Sequence, residues 1–317
     1  MTIEAFDRVD LDGTGIDRIT EDEVVAVVRE SLAYGRGGRI ITPNVDILRR
    51  ASADPSVRRH LHDADLIVAD GMPLIWASRL GGAPLPERVA GSSLIWSLSE
   101  GLGRDSRSIF VIGGTPAAAG AAKSDPARNR PAGDDAAANG EVEGEPAGNG
   151  AASGPARSGA AKKNLLGSGV AKRSAAKSVR DGAARAAARL ARECPGLRIA
   201  GTVSPPFGFE EDEATYADVC AKVVAAEPDM VFVGLGFPKQ ELVIERLRPQ
   251  LPRAWFVGCG AAVNFVAGDV ERAPRWMQRS GLEWAHRLGI EPRRLAGRYL
   301  RHDAPYALRL LARARRR

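Results

Sequence analysis

The sequence predicts an α/β protein built on a mostly parallel sheet that helices cover on both faces. Six short apolar runs recur along the 317 residues, and Gly, Pro, Asn or Asp follows each of them. Segments with helical periodicity lie between the runs. Runs that are apolar at every position, rather than at alternate positions, are typical of parallel strands buried on both sides.

Each element has its own sequence signal. Thr20-Glu21-Asp22-Glu23 is a capping box, which predicts a helix that begins there and ends near Ala33. The predicted strands are RIIT (39–42), LIVA (66–69), IFVI (109–112), LRIAG (197–201), MVFVG (230–234) and WFVGC (255–259).

Residues 121–181 interrupt this alternation. They are rich in Ala, Gly, Pro and charge and contain no aromatic side chain. Such a segment cannot bury enough apolar surface to offset its ordering entropy, so we predict a disordered insert. Without it about 256 residues remain, an ordinary size for one domain. We predict an α/β domain over residues 1–284 and a basic amphipathic C-terminal appendage over residues 285–317.

The charge is concentrated in this appendage. The whole chain carries a net charge of +6 and has a pI of about 9.5. The appendage has ten arginines against Glu291 and Asp303, a net charge of +8, so the remaining residues sum to about −2. This balance favours an anionic partner, such as phosphates, nucleic acid or an acidic membrane surface.

Cysteine usage and hydropathy bear on the compartment. Cys194, Cys220 and Cys259 are far apart and form no CxxC pair, so a reducing cytosol is the better interpretation. No apolar stretch approaches the roughly 18 residues of a membrane span, and MTIEAFDRVD does not resemble a signal peptide. We expect a cytoplasmic protein that is soluble or peripheral to a membrane.

Polar and small residues follow the predicted strands. Ligands of parallel sheets bind beyond the carboxyl ends of the strands. Asp70, directly after LIVA, is an unusual residue at the end of a buried run, and glycines after other strands let backbone N–H groups approach a phosphate. The candidates are Thr42, Asn44, Asp70, Gly113, Gly114, Gly234, Gly236, Lys239, Gln240, Glu241, Gly258, Gly260 and Asn264.

Simpler explanations exist for each signal. A Gly pair after a strand is usually a tight turn, Asp-Gly is a common turn, and Lys239 fits a solvated helix residue. Their gathering at one edge of the sheet is what favours a site.

Other motifs are interpreted as structural. DLDGTGIDRITE fits an EF-hand loop at several positions, but too few residues precede it for an entering helix, so strand, turn and helix cap is the better interpretation. His60 and His62 have no third ligand nearby and are predicted to be surface histidines. GxGxxG is absent, which disfavours a nicotinamide cofactor.

Longer motifs occur in a fixed order. They are TPNVDIL, ADLIVADGMPLIWASRLGGAPLPERVAGSSL, IFVIGG, PGLRIAG, PDMVFVGLGFPKQE, AGDVERAPRWMQRSGLEWAHRL and EPRRLAGRYL. In this order they resemble the WecG/TagA/CpsF family of bacterial glycosyltransferases, over nearly everything except the first residues and the insert.

The resemblance implies an inverting, metal-independent glycosyltransferase with a Rossmann-like fold and no cofactor. It implies transfer of an N-acetylmannosamine-type sugar from a UDP donor to a polyprenyl-diphosphate-linked sugar, in cell-surface polysaccharide or teichoic-acid-type synthesis. Val263-Asn264 stands where the family usually has Phe-Asp. Another UDP-hexose, used for exopolysaccharide, therefore stays open as the donor.

The resemblance agrees with Asp70 as the base that takes the proton of the acceptor hydroxyl. Thr42 and Asn44 would orient sugar hydroxyls. Many glycosyltransferases hold a metal ion with an Asp-x-Asp sequence. The two such sequences here, at residues 10–12 and 63–65, are instead assigned to a turn and to a helix or its end. Arginines are therefore predicted to stabilise the leaving UDP where other enzymes use a metal: Arg88, Arg287, Arg294 and Arg298.

The appendage intersperses its arginines with apolar residues, which fits a basic amphipathic helix on anionic lipid. The alternatives are a solvated tail or a nucleic-acid patch. A lipid-linked acceptor favours the membrane, so nucleic acid is not expected as a partner, and a homo-oligomer is left open. Two other functions are less favoured. A nucleotide-dependent oxidoreductase would need an acid that binds the cofactor ribose and a redox-competent residue, and the sequence shows neither. A non-catalytic membrane- or nucleic-acid-binding protein would leave Asp70, Asn44 and Gln240 without a purpose.

Overall fold

The structure, a computed structural model, describes residues 6–116 and 181–316. It begins with an antiparallel hairpin of β1 (Arg8–Leu11) and β2 (Thr14–Asp17). Helix α1 (Glu21–Ala33) follows, with the predicted capping box between Thr20 and Glu23 at its start. The stretch that fits an EF-hand loop is therefore strand, turn and helix cap, as the sequence predicts.

Six parallel strands form one sheet within the described residues, at the positions of the apolar runs. They are β3 (Gly38–Ile41), β4 (Leu66–Ile67), β5 (Ser108–Gly113), β6 (Arg198–Val203), β7 (Met230–Gly234) and β8 (Trp255–Gly258). Their order in the sheet is β4-β3-β8-β7-β5-β6, and every neighbouring pair is parallel. The predicted Rossmann-like α/β fold is confirmed.

Helices connect the strands and cover the sheet. They are α2 (Val45–Ala53), α3 (Pro55–His62), α4 (Met72–Leu80), α5 (Gly91–Arg104), α6 (Gly182–Glu193), α7 (Glu213–Ala226), α8 (Lys239–Leu247), α9 (Ala262–Ala267), α10 (Arg275–Ser280), α11 (Glu283–Ile290), α12 (Pro292–Ala296) and α13 (Ala304–Ala314). A π-helical segment, Gly297–Asp303, joins the last two. In the part of the chain that the structure describes, no helix has the length and apolarity to cross a membrane.

Alternate residues of β5 pack on opposite faces of the sheet. Ile109 and Val111 belong to an apolar cluster with α1, α5, α6 and α9, whereas Phe110 and Ile112 belong to one with α7 and α8. A third cluster joins the β1–β2 hairpin to α2, α3, α4 and α13. Burial on both faces explains why the strands are apolar at every position.

The residues on either side of the gap between Pro116 and Asp181 are close together. The backbone N–H of Gly182 donates to the carbonyl of Thr115 at 2.8 Å, so β5 and α6 meet directly. Asp181 then caps α6 through its side chain. The predicted insert, residues 121–181, lies outside the described residues except for Asp181.

The last helix packs into the core. Tyr306, Leu310 and Ala314 are buried in the cluster that contains α4. Asp12, in the turn of the hairpin, accepts hydrogen bonds from Tyr306 at 2.8 Å and from Arg313. One face of α13, which belongs to the predicted appendage, therefore packs against the rest of the fold.

Candidate active site

Asp70 lies just beyond β4, beside the loop that follows β3. Its backbone N–H donates to the carbonyl of Pro43 at 2.9 Å. Gly71 then adopts a φ of 124°, which L side chains rarely adopt, and α4 begins at Met72. Asp-Gly therefore turns the chain at the carboxyl edge of the sheet and leaves the Asp70 side chain at that edge.

Three arginines and a second carboxylate surround Asp70. Arg88 Nη1 lies 3.8 Å from Asp70 Oδ1 and 3.1 Å from Glu283 Oε2. Glu283 Oε1 lies 3.6 Å from Arg272 Nε and 3.6 Å from Arg287 Nη2. We call Asp70, Arg88, Arg272, Glu283 and Arg287 the Asp70 cluster. Arg88 lies in the segment after α4 and Arg272 in the segment after α9, whereas Glu283 and Arg287 lie on α11.

The two carboxylates of the cluster differ in basicity. Burial raises the pKa of Asp70 to about 6; Arg88 and Arg287 oppose this effect, and Glu283 adds to it. Even so, 30% of the Asp70 side chain is exposed, so a ligand can reach it. Burial also opposes ionisation of Glu283, but Arg287, Arg272 and Arg88 outweigh it and lower the Glu283 pKa. At neutral pH Asp70 is therefore ionised and is the stronger base of the two.

Thr42 and Asn44 lie in the loop after β3, beside Asp70. Thr42 is buried, and its hydroxyl donates to the carbonyl of Gly258 at 3.5 Å, which joins the ends of β3 and β8. Asn44 caps α2, since its Oδ1 accepts from the backbone N–H of Ile47 at 3.1 Å. This cap uses the amide oxygen and leaves the NH₂ group of the same side chain to a ligand.

Close packing explains several of the predicted glycines. A Cβ on Gly113 would lie 2.5 Å from the Gly234 carbonyl oxygen, and one on Gly234 would lie 2.5 Å from Val263 Cγ2. Gly114 packs equally tightly, with a hypothetical Cβ 2.7 Å from the Ala183 nitrogen. Gly236 has open space around it. These contacts hold the ends of β5, β7 and α9 together, whereas Gly236 leaves room for a ligand.

Glu241 was predicted to contact substrate, and the structure corrects this role. Its side chain has no exposed surface and accepts from Arg39, which is equally buried, at 2.6 Å. Gln240 Nε2 donates to Glu241 Oε1 at 2.9 Å, and Gln240 Oε1 accepts from the backbone N–H of Gly260 at 3.1 Å. Glu241 therefore supports Gln240, which fixes the loop between β8 and α9. Lys239 forms an ion pair with Glu210.

The remaining predicted residues divide between two places. Arg287 belongs to the Asp70 cluster and lies over the ring of Phe265, 5.1 Å from its centroid. Arg298 instead lies 3.6 Å from Asp303, and its charge helps to lower the pKa of Asp46 on α2. The side chain of Arg294 lies outside the described residues.

Asn264 is on α9, next to the fully buried Val263. Its Oδ1 is buried and has no hydrogen-bond partner among the described residues. A buried amide oxygen without a partner is costly, so this atom is available to a donor on a ligand.

Arg272 and Glu283 are the functional candidates that sequence reasoning missed. Both lie in AGDVERAPRWMQRSGLEWAHRL, the stretch in which only Arg287 was predicted to have a role. The signal was the isolated acid in GLEW, between apolar residues and within a basic region.

The described residues contain no group of three or more His, Cys, Asp or Glu that could hold a metal ion. His60 was predicted to be a surface residue, and this is wrong: it is 5% exposed. Its Nδ1 lies 2.6 Å from Glu245 Oε1, and its ring packs edge-on against Phe237. His60 therefore ties α3 to α8.

Comparison with known proteins identifies the family. The sequence profile of the glycosyl transferase WecG/TagA/CpsF family matches residues 9–137 and 175–317, which include the whole Asp70 cluster. The N-acetylglucosaminyldiphosphoundecaprenol N-acetyl-beta-D-mannosaminyltransferase of Bacillus spizizenii is 28% identical over 263 residues, 83% of this chain and 75% of that protein. A Bacillus subtilis protein of the same name is 38% identical over 104 residues, 33% of this chain and 38% of that protein. The chain belongs to the WecG/TagA/CpsF family and is a glycosyltransferase.

Proposed function

We propose that this glycosyltransferase moves an N-acetylmannosamine-type sugar from UDP to a polyprenyl-diphosphate-linked N-acetylglucosamine. The transfer inverts the anomeric centre, needs no metal ion, and serves cell-surface polysaccharide or teichoic-acid-type synthesis. The names of the two Bacillus relatives support the sugar and the acceptor. The observation that carries the proposal is Asp70, a partly exposed carboxylate of raised pKa among three arginines.

In this mechanism Asp70 accepts the proton of the acceptor hydroxyl while the hydroxyl oxygen attacks the anomeric carbon from the face opposite UDP. The new glycosidic C–O bond forms as the bond from the anomeric carbon to the phosphate oxygen breaks. UDP leaves with the electron pair, and the configuration inverts. A carboxylate with a pKa of about 6 suits the task, because it is ionised at neutral pH and more basic than an ordinary aspartate.

Negative charge that develops on the leaving diphosphate needs a cationic partner. Arg88, Arg272 and Arg287 supply three guanidinium groups beside Asp70, and guanidinium binds phosphate oxygens in bidentate fashion. This arrangement supports catalysis without a metal ion.

We further propose that the enzyme works at the cytoplasmic face of the membrane without crossing it. Trp276, Trp284, Ile290, Leu300 and Leu308 are large apolar residues that remain exposed on the C-terminal helices. Arginines lie among them in the sequence, at positions 293, 301 and 309. Aromatic and apolar side chains combined with arginine suit a surface of anionic lipid, where a polyprenyl-linked acceptor resides.

The test is UDP release from UDP-N-acetylmannosamine with a short lipid-diphosphate N-acetylglucosamine acceptor, in EDTA. Acceptor-dependent release that persists in EDTA is the expected result, and release that requires Mg²⁺ or Mn²⁺ would overturn metal independence. Parallel reactions with other UDP-hexoses test the donor. Asn264 is the reason for that comparison: its Oδ1 has no hydrogen-bond partner among the described residues, and the family usually has an aspartate at this position.

A further inference from the structure

Glu283 is the carboxylate that all three arginines of the Asp70 cluster share. It is 8% exposed, and its Oε2 accepts from Arg88 Nη1 at 3.1 Å. Its Oε1 has two longer contacts, of 3.6 Å each, to Arg272 and Arg287. We propose that Glu283 is a positioning residue that holds Arg88, Arg272 and Arg287 ready for the donor diphosphate beside Asp70. This role rests on the proposed function.

Charge explains why a carboxylate is needed in a site for an anion. Three guanidinium groups in a poorly solvated cluster repel one another. Burial lowers the pKa of Arg272, Glu283 opposes this, and Arg88 and Arg287 lower it further. With Asp70 and Glu283 both ionised, the cluster keeps a net charge of +1, which attracts a diphosphate without driving the arginines apart.

The contact lengths indicate which contacts of the arginines a bound diphosphate replaces. At 3.6 Å, the contacts of Glu283 with Arg272 and Arg287 are longer than N–H···O hydrogen bonds. Arg272 Nε has no hydrogen-bond partner among the described residues. Diphosphate oxygens at normal hydrogen-bond length therefore replace the long contacts, while Glu283 keeps Arg88 in place.

The segments that carry Glu283 and Asp70 also pack against each other. A Cβ on Gly281 would lie 2.4 Å from Met72 Cγ, so the turn before α11 packs directly on the first residue of α4. Met72 is two residues from Asp70, and Gly281 is two residues from Glu283. The positions of the two carboxylates are therefore linked.

The experiment compares Glu283→Gln and Glu283→Asp with wild type, and uses Glu271→Gln as the matched control. Glu271 is exposed and precedes Arg272 directly. Glu283→Gln should lower kcat about 10- to 100-fold, because the arginines lose their alignment, while UDP still binds. It should also move the acidic limb of the pH profile of kcat/KM downward by about one pH unit, since Glu283 helps to raise the Asp70 pKa.

Glu283→Asp keeps the charge but is one methylene shorter. Its acidic limb should stay near that of wild type while its kcat falls, so it tests alignment even where Glu283→Gln does not fold. Wild-type kcat in either variant, or UDP binding lost together with activity, would overturn the proposal.

A readout without sugar transfer separates this proposal from the proposed function. The difference in unfolding free energy between Asp70→Asn and wild type changes with pH as Asp70 titrates. In the Glu283→Gln background the midpoint of that change should move to lower pH, and an unmoved midpoint would contradict the proposed role. Absence of transfer from UDP-sugars by the wild-type enzyme would instead refute the proposed function alone.

Discussion

Arg88 is shared unequally between two carboxylates: its Nη1 atom is 3.8 Å from Asp70 and 3.1 Å from Glu283. A guanidinium bonded directly to Asp70 would lower the pKa of that carboxylate and weaken it as a base. At the observed distances Arg88 forms its hydrogen bond with Glu283, and Asp70 keeps a pKa of about 6. Asp70 is thereby near positive charge without being neutralised by it.

Asp70→Asn should abolish transfer while UDP binding remains. An amide of the same shape cannot accept the proton, and the loss of a general base costs about 100- to 10,000-fold in rate. Acceptor-dependent release of UDP measures the rate of transfer, and calorimetry measures UDP binding. Asp22→Asn is the matched control, since Asp22 is exposed on α1. Transfer at a rate within a few-fold of wild type would remove Asp70 from the mechanism.

The pH dependence of kcat/KM should show a limb near pH 6, with activity falling as pH falls, because protonated Asp70 cannot act as the base. Arg88 lowers the Asp70 pKa, so Arg88→Gln should move this limb to higher pH. The shift is opposite to the one expected for Glu283→Gln. A limb that moves downward, or stays in place, in Arg88→Gln would contradict the assignment.

Asp70→Asn should also be more stable than wild type above about pH 6. Because folding raises the pKa of Asp70 from 3.8 to about 6, its protonated form favours the fold, and that stability is lost as pH rises through about 6. The gain corresponds to at most about 3 kcal/mol in the free energy of unfolding at pH 8 and should vanish below pH 4. Urea unfolding at both pH values measures it, and equal gains at both would show that the effect is unrelated to ionisation.

The strands and Asp70 could be predicted because their signals are local. Each strand is apolar at every position, and Asp70-Gly71 marks the end of one. The contacts within the site are not local: Arg88 and Glu283 are 195 positions apart, and Arg39 and Glu241 are 202 apart. Charge pattern alone does not distinguish a buried Glu241 from a substrate-binding one, so that assignment failed.

The appendage was harder to interpret for a related reason. An amphipathic helix can turn its apolar face to lipid or to its own protein, and the two cases have the same sequence pattern. Tyr306 and Leu310 face the protein, whereas Leu300 and Leu308 remain exposed. Truncation after residue 284 would therefore uncover core residues, and single substitutions are the cleaner test of the arginines.

Glu241→Gln should destabilise the fold. It leaves the guanidinium of Arg39 buried without its charged partner, which costs about 3 to 5 kcal/mol in the free energy of unfolding. The single amide oxygen of the variant cannot accept from both Arg39 and Gln240, so the loop at Gly260 should become more mobile as well. Glu100→Gln serves as the control, because the Glu100–Arg104 pair is exposed and should contribute less than about 1 kcal/mol. Equal, small effects of both substitutions would contradict the structural role of Glu241.

Tyr306→Phe should loosen α13 from the β1–β2 hairpin. The substitution removes the hydrogen bond from the Tyr306 hydroxyl to Asp12 Oδ2, worth about 1 kcal/mol, and leaves the ring packed in the core. Hydrogen exchange of residues 304–314 should accelerate while that of β5 does not change. Tyr34→Phe is the control, since Tyr34 is 64% exposed. Because α13 continues the chain from Glu283 and Arg287, faster exchange there should be accompanied by a lower kcat. Unchanged exchange across 304–314 would show that the hydrogen bond from Tyr306 to Asp12 does not hold the C-terminal helix.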